Sequence, residues 1–195
     1  MKISWTPPPP RSGMKGAIDR FIGPGTTNGE YWLQFVAIVV GTLAAPVVAI
    51  WKELDWSTWQ FIVAAVLSLD LFGGVVTNAT SAAKRWYHRP EQNWKAHMGF
   101  VAMHLHPFLV AWLFLDGDWT FGIVGYGYLL MAALLILWMP LYLKRPFAML
   151  LYLFGVFISL YTLPPIPGME WFLPIFYLKL LVSHLLKEAP FQPEV

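Results

Sequence analysis

Asp70 lies inside an otherwise apolar run, Trp56–Asn78, that leads into the basic, histidine-bearing stretch Lys84–Arg89. A carboxylate kept in such a segment is costly. It marks a functional position with a partner elsewhere in the chain. At about 100° per residue on a helix, Gly73, Gly74, Thr77, Asn78 and Ser81 return to the face of Asp70, and Lys84, Arg85 and His88 continue the stripe. Leu69, Phe72 and Val76 form the apolar opposite face. Glycines on the polar stripe let a neighbouring helix or a ligand approach the backbone closely.

Two further apolar runs carry polar side chains. Ala96–Leu115 holds His97, His104 and His106, and Trp171–Leu186 holds Lys179 and His184. On a regular helix His97 and His104 share a face while His106 points away from His104, although Pro107 can loosen the turn before it. With a rise of about 1.5 Å per residue, Asp70, His104 and Lys179 fall roughly 12–17 Å from the basic boundary, and Asn78, His97 and His184 roughly 3–6 Å. Two matching layers on three helices predict a polar pocket open to the basic side. Asp70, His104 and Lys179 are the candidate catalytic residues. Asn78, Arg85, His88, His97 and His184 are the candidate ligand-binding residues, with Lys84 and Arg89 completing a basic rim.

Several chemistries suit such a set. Imidazoles with a carboxylate fit a divalent metal, with Asp70, His97, His104 and His184 as candidate ligands. The spacing is non-specific, because no His-x-x-x-His or His-Glu-x-x-His pair is present. A haem held by His104 and His184 ranks lower, since their depths differ. Acid–base chemistry on a lipid-like substrate would use Asp70 or His104 as base and the cations to hold an anionic head group. A proton-coupled small-solute transporter switching on Asp70 is the alternative. A non-catalytic accessory or assembly subunit of a membrane complex is the third reading. The order Asp70…Gly74 followed by His104-Leu-His106-Pro107 resembles the pattern of the plasmalogen-forming membrane lipid desaturases. Most of that family's histidine boxes are absent here, so no activity is carried over. The outer halves of the spans are apolar, which favours a one-sided pocket, and hence an enzyme or binding protein for an amphipathic ligand.

The elements that must position these residues are membrane helices. Of the 195 residues 57% are hydrophobic and only 12% charged, against roughly 25% charged in an average soluble domain. Too little polar surface remains to coat a water-soluble globule. There is no cysteine, which excludes disulfides and thiolate chemistry. Apolar runs at Tyr31–Trp51, Trp56–Asn78, Ala96–Leu115, Phe121–Leu143, Pro146–Leu163 and Trp171–Leu186 are continuous rather than alternating. They predict an all-α integral membrane bundle of about six transmembrane helices. The expected division is a Pro/Gly-rich N-terminal segment 1–30, a six-span domain 31–187 and a short tail 188–195.

Eleven of the 13 lysines and arginines fall on one side of this arrangement, Lys52 falls on the other, and Lys179 lies within a span. The positive-inside rule then expects both termini in the cytoplasm, with a bacterial inner membrane as the location. Pro7–Pro10 lacks the apolar core of a cleavable signal and reads as an extended tail before an amphipathic stretch at Met14–Ile22. Gly23–Gly29 is glycine-rich but does not match a phosphate-binding loop. The expected partners are membrane lipids rather than nucleic acid, with a homo-oligomer or a membrane complex as a further association.

Overall fold

Short polar side chains set where the long helices begin. Thr27 and Ser57 each accept a hydrogen bond from the backbone three residues on, while Glu30 and Gln60 reach back to the cap residue's own N–H. Asn93 and Asp118 cap two further starts. The structure, a computed structural model, describes residues 1–193. Residues 194 and 195 of the expected tail lie outside the described residues.

The helices are α1 (Gly13–Ile22), α2 (Asn28–Trp51), α3 (Thr58–Ala79), α4 (Ser81–Tyr87), α5 (Trp94–Ala102), α6 (His106–Phe114), α7 (Trp119–Trp138), α8 (Leu141–Tyr161) and α9 (Phe172–Tyr177). The last runs on as a π-helical stretch, Leu178–His184. Strands β1 (Lys2–Ile3) and β2 (Phe191–Gln192) pair antiparallel, with Lys2 opposite Gln192.

The chain is an all-α membrane bundle. Among the described residues five segments are long and apolar enough to cross a membrane: α2, α3, the α5–α6 pair, α7 and α8. Leu43, Val47, Ile62, Val66, Leu153 and Phe157 point outward from them, and lipid is the solvent that such a surface suits. The sixth apolar segment, Phe172–His184, is shorter. It fills the centre of the bundle, packed against α3, α7 and α8, and Phe172, Phe176, Tyr177, Leu180 and Leu181 are fully buried. Charge pairs mark its two ends. Lys52 Nζ lies 3.5 Å from Glu170 at one, and Lys84 Nζ lies 3.7 Å from Glu188 at the other. Pairing of β1 with β2, and packing of α1 on α4, bring both terminal segments to the Lys84 end.

The junction of the fourth and fifth spans differs most from the expected bounds. The fourth span stops at Trp138, not Leu143, and α8 starts at Leu141. Met139 is extended because it precedes Pro140, and such a residue is driven out of the helical region. Lys144 and Arg145 therefore belong to the opening of α8 and not to a link. The third span is not one regular helix, since it breaks between Ala102 and His106.

Candidate functional site

α3 carries Asp70 to a cavity of about 270 Å³ at the side of the bundle. Lys179 reaches it from the π-helical stretch and places Nζ 2.6 Å from Asp70 Oδ2. The two are unequally covered, with the lysine side chain 4% exposed and the carboxylate 38%. Gly74 makes this reach feasible, because a Cβ there would run into Cδ and Cε of Lys179. Buried away from water, such a pair must be compensated by geometry as well as charge. The close contact and the open face of the carboxylate meet that need.

His104 sits in the break of the third span. Pro107 has no N–H to offer the Met103 carbonyl and its ring would clash with that carbonyl in a continuous helix. The chain turns at Met103–Leu105, and His106 starts α6. Nδ1 of His104 lies 2.7 Å from the Phe100 carbonyl oxygen. A carbonyl only accepts, so in the neutral ring Nδ1 carries the hydrogen and Nε2 keeps its lone pair. The break also brings the rings of His104 and His106 to 5.2 Å, edge to face. His106 Nε2 stands 3.9 Å from Asp70 Oδ2. The expectation that His106 points away from His104 is overturned by the loss of helical register between them. His106 joins the group, and Pro107, which the sequence already marks as able to loosen that turn, accounts for it.

The second expected layer divides. Asn78 lines the Asp70 cavity. Its neighbour Thr77 is occupied within the protein, since Thr77 Oγ1 donates to Gln34 Oε1 at 2.9 Å. His97 and His184 line a different cavity of about 490 Å³, and Nδ1 of His97 is 3.3 Å from Nε2 of His184. His88 stacks on His97 at 4.7 Å between ring centres. Phe100 lies between the two layers, its ring 4.7 Å from that of His104 and 4.1 Å from that of His184.

That aromatic ring argues against the haem expectation, because it occupies the space between His104 and His184. The metal expectation finds no support either. Among the described residues no group of three or more His, Asp or Glu side chains is placed to hold an ion. Asp70 with His104, and His97 with His184, stand in separate clusters.

The basic rim turns inward rather than toward Asp70. Lys84 Nζ donates to the carbonyls of Ser183 (2.7 Å) and Leu186 (2.6 Å), and His88 Nε2 donates to that of His184 (3.0 Å). These carbonyls end the central helix and lack partners within it, and a positive group suits that end. Burial brings the Lys84 ammonium down to about 8 despite the nearby Glu188 carboxylate. Burial, aided by the charges of His97 and Lys84, lowers His88 to about 3, so its ring is neutral at ordinary pH. Arg85 is 1% exposed and lies beneath the N-terminal loop, its Nη2 3.5 Å from the Gly25 carbonyl oxygen. The Arg89 guanidinium stacks 3.8 Å above Trp86.

No family model matches the chain, and no curated protein and no solved structure matches it. Fold and site define a class by themselves: a helical membrane bundle with an ion pair and a histidine pair beside a cavity between its helices.

Proposed function

We propose that the Asp70 cavity takes an amphipathic, lipid-like ligand from the membrane and that His104 and the Asp70–Lys179 pair act on its polar head. The observation that carries this reading is the open face of Asp70. Its carboxylate is charge-paired on one side and meets a cavity walled by Ile38, Leu69 and Phe100 on the other. A ligand matching those walls has an apolar body and a hydrogen-bonding head. Nε2 of His104, with its lone pair, is the group suited to accept a proton from that head. Lys179, held by Asp70, supplies positive charge beside any negative charge that then develops. Aromatic side chains including Trp56, Phe61 and Phe114 fill the opposite end of the bundle, which favours a one-sided site over a transport route.

The test is mass spectrometry of lipids retained by the purified wild type, Asp70→Asn and His104→Gln. One lipid class enriched in the wild type and depleted in both variants supports the reading. Identical lipid profiles in all three, with folding intact, would sink it.

A further inference from the structure

The end of the bundle that holds both terminal segments carries another cavity, about 530 Å³, apart from the Asp70 site. Lys84, Lys144, Arg145 and Lys187 line it, and among the described residues Glu188 is its one carboxylate. That single carboxylate is shared between two of the four cations. It stands 3.7 Å from Lys84 Nζ and 3.7 Å from Arg145 Nε, too far for hydrogen bonds of normal length. Lys187 leans over the Trp5 ring at 4.7 Å. Lys144 has no ion-pair partner among the described residues.

A second feature points the same way. α8 opens onto this cavity through Leu141, with Pro140 as its cap residue and no side-chain hydrogen bond to its first turn. Leu143 N–H already bonds the Pro140 carbonyl at 3.0 Å, which leaves the N–H groups of Leu141 and Tyr142, and these with the positive end of the helix dipole favour an anion. Cations that only set membrane orientation need not converge. Here four of them share a single hollow with one carboxylate among the described residues. Apart from Ser81 the remaining wall is apolar, with Leu141 64% and Phe191 53% exposed.

We infer that this cavity binds a phosphate-ester anion, gripped by Lys144, Arg145 and Lys187, with Glu188 as the resident carboxylate that it displaces. Arginine matches a phosphate through two parallel hydrogen bonds, and lysine meets it as a point charge. Lys84 stays a structural group, because its protons already serve the carbonyls of Ser183 and Leu186. The phosphate can come from an anionic phospholipid or from a water-soluble ester.

The full chain, reconstituted in phosphatidylcholine with and without phosphatidylglycerol, separates these sources. The wild type is expected to retain phosphatidylglycerol after extraction. The Arg145→Gln/Lys187→Gln variant is expected to lose it by about fivefold for each cation removed, and Glu188→Gln to retain more. Inorganic phosphate that raises the melting temperature in pure phosphatidylcholine, and displaces phosphatidylglycerol, assigns the site to soluble esters. Failure to do so assigns it to the lipid head group. The inference is overturned if neither probe distinguishes the wild type from the double variant while both melt alike. Should the double variant not fold, Glu188→Gln decides, and unchanged retention of both probes overturns the inference.

Discussion

Lys179 and Asp70 form an ion pair in which the lysine is buried and the carboxylate is half open, 2.6 Å apart. The asymmetry sets the order of damage. Asp70→Asn strands an ammonium with no counter-charge in the bundle. Lys179→Met strands a carboxylate that still faces the cavity. Breaking a fully buried pair costs about 3–5 kcal/mol, and exposure of one partner reduces that figure. Thermal melts should therefore rank wild type first, Lys179→Met next and Asp70→Asn last. The double variant should melt above Asp70→Asn, because no lone charge remains. A single variant Asp70→Asn as stable as the wild type would contradict the pairing.

Orientation follows from the same end that gathers the cations. Asn93 and Gly117 flank the α5–α6 segment at its opposite ends. The chain has no cysteine, so single cysteines introduced at the two positions report cleanly. A membrane-impermeant thiol reagent added outside intact cells should label Gly117→Cys and spare Asn93→Cys. The reverse pattern would place both terminal segments outside.

Acid should loosen the protein through His88. Burial keeps its folded ring unprotonated down to about pH 3, whereas an unfolded ring binds a proton near 6.5. Between those values the unfolded state binds more protons, so stability falls as pH drops below about 6.5 toward 3. His88→Gln keeps a donor for the His184 carbonyl and removes the titration. Its melting temperature at neutral pH should be lower, but its decline on acidification should be shallower than that of the wild type. Parallel slopes would show that His88 does not contribute.

Continuous apolar runs made the bundle legible in the sequence, and depth counting brought Asp70, His104 and Lys179 to one cavity. Depth says nothing of azimuth where a helix breaks. Regular helical register sets His106 opposite His104, and its approach to Asp70 depends on a turn before Pro107 that hydropathy does not register. Two of the basic residues take partners that the sequence does not show. Charge count reports the side of the membrane, but not whether a cation serves a ligand or a carbonyl. Lys84 and His88 serve the carbonyls of a helix far away in sequence, and no local pattern shows those carbonyls to be unpaired.

The break in the third span should depend on Pro107. In a continuous helix the His106 N–H would bond to the Ala102 carbonyl. Here that carbonyl instead accepts a hydrogen bond from Tyr126 Oη at 2.6 Å. Pro107→Ala restores the missing donor for the Met103 carbonyl and removes the ring clash, so the helix can run through. His104 and His106, two residues apart, would then point about 200° apart, and His106 would leave Asp70. A double-mutant cycle reads this directly. In the wild type Tyr126→Phe orphans the Ala102 carbonyl and should cost about 1–3 kcal/mol. In the Pro107→Ala background the His106 N–H takes that carbonyl, and the same change should cost little. Slower amide exchange over residues 103–107 should accompany it. An equal cost of Tyr126→Phe in both backgrounds would mean that packing, and not the proline, holds the break that brings His104 and His106 together.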